Sequence, residues 1–175
     1  EDKDLTLMAE DIKGNIIEGE EEITHNPDKI KRIFYNNEPK VVPEVITAVK
    51  EADLIVLSMG SLMTSVLPNV ICKEVLDTIE KLNTPIMYLC NIVTQPGETD
   101  SFTVGDHINL INSYLRNRKV DVVIANREKI DPKMAKKYET EEQKDPVLID
   151  YKNLTDAAAF NIDVEDGELD AAKDL

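Results

Sequence analysis

No apolar run in this chain approaches the roughly 20 residues that cross a bilayer. Nothing in it reads as a secretory signal either, so neither a helical span nor an exported form is expected. Cysteine is scarce: Cys72 and Cys90 both sit in apolar segments, without C-x-x-C spacing. Buried reduced thiols are the ordinary outcome for such residues, and they favour a cytoplasmic protein. Neither His25 nor His107 has a second His or a Cys at ligand spacing, which argues against a structural zinc site. The six glycines spell neither G-x-G-x-x-G nor G-x-x-x-x-G-K-[ST], so the usual phosphate loops are missing. There is no internal repeat, no Ser/His/Asp order and no activated cysteine, and a catalytic mechanism cannot be read off the chain.

A basic footprint is also lacking. The net charge is −15, but it is concentrated at the ends: residues 1–22 hold nine acids and two bases, and residues 156–175 hold seven acids and one base. The stretch 23–155 carries 19 acids against 17 bases and is nearly neutral. Nucleic-acid binding, which needs a cationic surface, is not expected. At 175 residues and 42% hydrophobic, the chain suits one α/β unit with a single core.

The present features are organised around strand ends. Leu5–Ala9 and Asn15–Ile17 flank Asp11-Ile-Lys-Gly14 and predict a hairpin, with Glu18–Glu22 continuing or fraying from its second strand. Lys29–Tyr35 alternates apolar and basic residues, the mark of a half-exposed strand. Pro43–Glu51 and Asn69–Leu82 predict helices, and so does Val104–Leu115. Between them lie the continuous apolar runs Leu54–Leu57, Pro85–Leu89 and Val120–Ala125, as expected for parallel strands covered on both faces. Pro132–Tyr138 reads as a short helix and Val147–Asp150 as a further strand. Thr155–Ala159 reads as a helical turn before Phe160–Val164. The beat is β-α-β-α-β-α-β, which implies a parallel sheet with helices on both faces. The basic turn Arg116-Asn-Arg-Lys119 suits helix capping better than phosphate binding.

Three apolar strands run into polar segments: Ser58–Thr64, Asn91–Asp100 and Asn126-Arg127. In open α/β sheets, that carboxyl edge is where ligands bind. Gly60 admits close approach, and Ser61 and Thr64 offer donors near a helix start, an arrangement suited to an anion. One such turn alone is most simply a helix cap; three together favour a ligand edge. His107 reads as a packed residue rather than a catalyst, and Asp106 suits the first turn of its helix.

The block Asn91-Ile-Val-Thr-Gln-Pro-Gly-Glu-Thr-Asp100, followed by Phe102-Thr103 and Asp106-His107, resembles the signature of the CofD/YvcK-like family of gluconeogenesis factors. Ala52–Leu57, Gly60-Ser-Leu62, Thr64-Ser65 and Leu67-Pro-Asn69 resemble a second block of that family, and Leu7–Ile23 the segment before it. The resemblance implies a Rossmann-like three-layer α/β/α fold with a mainly parallel sheet, plus a small β-hairpin segment near the N-terminus. It also implies a glycine-rich first loop upstream of Glu1. The chain is therefore expected to be one α/β domain (1–175) within a longer polypeptide. Residues 1–42 would form a β-rich insert-like segment, 43–166 the α/β core portion and 167–175 an acidic tail.

For function, the resemblance implies a cytoplasmic UDP-sugar-binding regulator of carbon metabolism, cell shape and cell-wall synthesis. Gly60, Ser61, Thr64, Asn69, Asn91, Thr94 and Arg127 would be its ligand-binding residues. An alternative implied by the other family branch is a 2-phospho-lactate transferase-like enzyme using a nucleotide-activated substrate and Mg2+, with Glu98 and Asp100 as candidate metal carboxylates. A third reading is an interaction protein that has lost its ligand, with cell-wall or metabolic proteins, or a second copy of itself, as partners. That reading rests on departures from the family's usual Gly-Pro-Gly-Ser-Leu-Tyr-Thr-Ser: the chain has Ser58-Met-Gly-Ser-Leu-Met-Thr-Ser65, which leaves Met63 at the aromatic position associated with the nucleotide.

Overall fold

The computed structural model describes residues 5–128, 132–137, 140, 144–151, 154 and 158–160. Tyr138, residues 155–157 and residues 161–175 lie outside them, and with them the expected Phe160–Val164 strand beyond its first residue and the acidic tail.

Asp11 builds the hairpin. Its carboxylate accepts from the backbone N–H of Lys13 and Asn15 and from the Asn15 side chain, each at 2.8 Å. That closes the turn between β1 (Leu7–Asp11) and β2 (Ile16–Glu18), which pair antiparallel. β3 (Ile30–Tyr35) pairs with the other side of β1, so the small sheet runs β2-β1-β3. A register shift at Glu10/Asp11 breaks the strict alternation expected of β3, and Lys31 and Arg32 both face out. Their anionic partner is internal: Glu10 takes Lys31 at 2.7 Å and Arg32 at 2.6 Å, and these hydrogen bonds hold its carboxyl below the usual range.

The expectation for Glu18–Glu22 needs correction. Gly19 turns out of the strand at φ 102°, and Glu20–Thr24 forms a short helix α1. Its first turn is Glu20, Glu21 and Glu22, the favourable sign for a helix N-terminus. Ile23 is the residue this turn buries.

α2 (Pro43–Glu51) follows, with Pro43 in its first turn, and then β4 (Ile55–Leu57). A π-helical turn, Leu62–Val66, leads into α3 (Leu67–Val70) and α4 (Lys73–Ile79). The single helix expected over Asn69–Leu82 is therefore two. Cys72 takes an extended conformation between them, and the N-terminus of α4 receives the Glu38 carboxylate at the Lys73 N–H (3.0 Å). A cap from 35 residues upstream is invisible to local pattern. β5 (Ile86–Leu89), α5 (Val104–Tyr114), β6 (Val122–Ile124), α6 (Pro132–Lys137) and β7 (Ala158–Phe160) complete the order.

The large sheet is parallel, in the order β4-β5-β6-β7, and the architecture is Rossmann-like α/β. β7 occupies residues expected to be a helical turn, because Ala158 and Ala159 pair with Val122 and Val123. Val147–Asp150 is not a strand of that sheet. It is an extended strap across the strand ends, with the Val147 N–H on the Ile92 carbonyl (3.0 Å) and an antiparallel bridge between Val93 and Pro146.

The core lies on one face of the parallel sheet, where Ile86, Tyr88 and Val123 are fully buried against Leu62, Met63, Leu67, Val104 and Ile111. The small sheet joins the same core. The Ile33 N–H donates to the Tyr114 hydroxyl (2.8 Å), and the Tyr35 hydroxyl donates to the Pro68 carbonyl (3.2 Å). β4 departs from expectation in one respect. It is an edge strand whose Val56 is 46% exposed, so it is covered on one face only among the described residues.

Candidate functional site

All three polar strand ends emerge at the carboxyl edge of the parallel sheet, as that topology requires. The first is organised by Ser61. Its hydroxyl caps the π-helical turn, accepting from the Thr64 N–H at 3.0 Å and the Thr64 hydroxyl at 2.5 Å. It donates in turn to the Glu98 carboxylate at 2.6 Å. The same Glu98 oxygen accepts from the Met63 N–H at 3.2 Å. Asn91, at the end of β5, donates its side-chain N–H to the Gly60 carbonyl at 2.9 Å. Gly60, Ser61, Thr64, Asn91 and Glu98 therefore form one bonded unit that ties the loop after β4 to the loop after β5.

The loop after β5 is held on its other sides. Thr99 accepts from the Gln95 N–H (2.9 Å), and Asp100 accepts from the Gly97 N–H (2.8 Å). Gly97 adopts φ +81°, and a Cβ there would sit 3.3 Å from the Asn26 carbonyl, so the loop rests on the end of α1. Thr94 is buried and exchanges bonds with Asp145: the Thr94 N–H reaches the Asp145 carbonyl at 2.7 Å, and the Asp145 N–H reaches the Thr94 hydroxyl at 2.9 Å. Asn69 stands apart, with its side chain donating to the Ser65 carbonyl in an exposed setting.

α5 starts beside this loop with a full capping box. The Thr103 hydroxyl accepts from the Asp106 N–H, and the Asp106 carboxylate accepts from the Thr103 N–H. His107 is buried, parallel to Tyr88 (ring centroids 6.3 Å apart) and edge-on to Phe102 (5.4 Å). Its Nδ1 lies 2.8 Å from the Thr103 carbonyl. A carbonyl only accepts, so Nδ1 carries the proton and Nε2 is a free acceptor. Burial holds the imidazole pKa below its ordinary 6.5. The unfolded chain then binds this proton more readily than the folded one. The stability His107 contributes should be complete above about pH 6.5 and fall on acidification, by at most about 1.4 kcal/mol per pH unit. Urea titrations of the parent and of His107→Gln between pH 7 and 5 check this, and the substitution should flatten the slope.

Five buried atoms find no protein partner among the described residues: the Tyr88 hydroxyl, Asn91 Oδ1, Gln95 Oε1, Glu98 Oε1 and His107 Nε2. All belong to β5, the loop after it, or the start of α5. Cys90 lies in the same region, and burial pushes its thiol up to about 12, so it is an inert core residue.

The third strand end faces a different space. Arg127 is exposed and, among the described residues, has no ion-pair partner. It lines a cavity of about 590 Å³ with Ile92, Asn126, Pro146, Leu148 and Tyr151, within the roughly 300–1,000 Å³ usual for small-molecule sites. Leu148 of the strap and Tyr151 just after it were not foreseen as lining, because the sequence reads Val147–Asp150 as a strand. No described hydrogen bond connects Arg127 to the Ser61–Glu98 unit.

Met63 is buried in the core at 1% exposure, whereas Met59 is 56% exposed at the sheet edge. Of the two acids in this loop, Glu98 uses one carboxylate oxygen for Ser61 and Met63 and leaves Oε1 without a protein partner among the described residues, while Asp100 accepts from the Gly97 N–H.

A parallel sheet with polar strand ends gathered at its carboxyl edge defines a Rossmann-like α/β protein by class. Within that class the comparisons are specific. The profile of the family described as 2-phospho-L-lactate transferase CofD matches residues 1–166, and the chain belongs to that family. It is 36% identical over 151 residues to the gluconeogenesis factor of Bacillus subtilis, covering 86% of this chain and 47% of that protein. The gluconeogenesis factor of Listeria monocytogenes is 41% identical over 126 residues, covering 71% of this chain and 39% of its own length. A crystal structure of a UPF0052-family protein from Bacillus halodurans superposes with a TM-score of 0.86 at 33% identity, over 91% of this chain and 52% of that one. The chain thus spans about half the length of the curated Bacillus subtilis relative it matches.

Proposed function

We propose that this chain contributes the nucleotide-sugar site of a gluconeogenesis-factor-type regulator of carbon metabolism, cell shape and cell-wall synthesis, with a UDP-sugar as ligand. The observation that carries the reading is Arg127. A guanidinium without an ion-pair partner among the described residues, at a strand end and on the wall of a ligand-sized cavity, presents the planar donor fork that suits diphosphate oxygens. Tyr151, Ile92 and Leu148 supply an apolar wall for a base or sugar face. Ser61 and Thr64 act as the scaffold behind that edge rather than as direct phosphate ligands, because their hydroxyls already bind each other and Glu98. Met63 lies beneath the surface as a packing residue and is not among the residues that line the Arg127 cavity.

The test is a thermal-shift panel with UDP-N-acetylglucosamine, UDP-glucose and GDP, with and without magnesium. A ligand at about 100 times its dissociation constant adds roughly 2.7 kcal/mol of stability, which is easily resolved. A magnesium-independent shift with UDP-sugars alone is expected. A shift confined to GDP with magnesium would favour transferase chemistry instead.

A further inference from the structure

The strap across the strand ends points its side chains in two directions. Val147 is 8% exposed and Ile149 packs against the core, whereas Leu148 is 67% exposed and Tyr151, just after the strap, 60%. Such alternation belongs to an extended segment with one row sunk and the other free. The free row does not scatter over the surface. Leu148 and Tyr151 both line the Arg127 cavity, and Ile92, another exposed apolar side chain, lies on the same wall. Exposed apolar residues gathered around one concavity mark a binding surface.

Tyr151 is held there from both sides. After it the chain turns inward, with the Leu154 N–H on the Tyr151 carbonyl at 3.4 Å and Leu154 itself at 8% exposure. Before it the strap is fastened to the start of α5. The Val104 N–H donates to the Leu148 carbonyl at 3.0 Å, and the Gly105 N–H donates to Asp150 Oδ1 at 2.8 Å. The Thr103 hydroxyl takes the Asp106 N–H, so the first three donors of this helix are satisfied, two of them by the strap. The Asp150 carboxylate also stands at the positive end of the α5 dipole. Each exposed cavity residue after Pro146 is therefore pinned itself or adjoins a pinned one.

We propose that the strap is the specificity element of the Arg127 site, with Asp150 as its positioning residue. By capping α5, Asp150 fixes the Tyr151 ring as a platform on which a planar base stacks, while Arg127 holds the diphosphate joined to that base. The inference rests on the nucleotide-sugar reading and narrows it: the site selects diphosphates that carry a base over those that carry none. A guanidinium cannot make this distinction alone, because every diphosphate offers it the same kind of oxygens. An aromatic face can, because stacking needs a flat partner.

Calorimetric titration with UDP and with inorganic pyrophosphate separates the two contributions. The parent should bind UDP at least about tenfold more tightly than pyrophosphate, the order expected of one base stacked on an aromatic ring. Tyr151→Ala and Asp150→Ala should each remove most of that preference and leave the affinity for pyrophosphate unchanged. Asp150→Asn retains an oxygen that accepts from the Gly105 N–H and should keep the preference. Circular dichroism checks that each variant is folded, and Tyr151→Ala, at an exposed position, keeps the test decisive if Asp150→Ala is not. Loss of both ligands in equal proportion in Asp150→Ala would show a merely structural role and overturn the inference. So would either folded alanine variant that still prefers UDP. A parent that binds UDP and pyrophosphate alike would overturn the inference by itself, whereas a parent that binds neither would overturn the nucleotide-sugar reading together with it.

Discussion

Replacing Glu98 by alanine should lower the unfolding free energy by about 3–6 kcal/mol, since a hydrogen bond to a charged group contributes about 1.5–3 kcal/mol and two are lost together. The carboxylate is at 1% exposure and accepts from the Ser61 hydroxyl and the Met63 N–H, which come from the loop after the neighbouring strand. Its removal leaves both donors in a water-poor interior and disconnects the loop after β5 from the π-helical turn after β4. Glu98→Gln keeps an acceptor oxygen of the same reach and should cost only about 1 kcal/mol, the ordinary net value of a hydrogen bond. Urea denaturation of the two variants separates the cases. An alanine variant within about 1 kcal/mol of the parent would mean that this bridge does not hold the edge together.

A loss of similar size, about 3 kcal/mol, is expected for Arg118→Ala, which removes several charge-assisted bonds to main-chain acceptors at once. The guanidinium is only 16% exposed and donates to the Ile79 carbonyl at 3.1 Å, the Thr84 carbonyl at 2.8 Å and the Leu82 carbonyl. It closes the C-terminal end of α4 and the turn into β5, so its removal exposes orphan carbonyls beside the strand that carries Asn91. Arg118→Lys supplies one point charge instead of a planar fork, and less than half the loss should be recovered. Differential scanning calorimetry of both variants decides it, and full rescue by lysine would show that charge alone is at work. Neighbouring Arg116 is a more exposed case. It pairs with Asp77 and Glu80, and with Lys73 it holds the Asp77 carboxyl down to about 2.

These two residues show where sequence reading succeeds and where it stops. Features set by neighbours within a few positions were legible: the Asp11 hairpin, the apolar run of β5, and the α5 start at Thr103 with Asp106. The basic turn after α5 was legible as a cap, but the helix it caps is α4, whose carbonyls come from 34–39 residues away. Glu98 was legible only as a candidate metal carboxylate, and its bridging role was hidden because its two donors lie 35 and 37 residues upstream. The stretch Ser58–Ser65 reads as a polar turn, yet π-helical geometry turns Leu62, Met63 and Val66 inward together. Asn91 and Thr94 stood out correctly as polar groups at a strand end, but each already serves the scaffold, through Gly60 and Asp145. Arg127 is the strand-end residue whose side chain the described fold leaves uncommitted, and it is the one on which the ligand reading rests.

Calorimetric titration of UDP-N-acetylglucosamine tests that reading most directly. It should be run on the parent and on Arg127→Ala. Arg127 is exposed, so the substitution should leave the melting temperature nearly unchanged. Losing a charge-assisted fork to diphosphate should weaken binding by at least about tenfold, equivalent to about 1.4 kcal/mol. Binding by the parent that Arg127→Ala weakens to this degree is the predicted result. Equal affinity in parent and variant, or no heat from the parent, would contradict a nucleotide-sugar site at this edge.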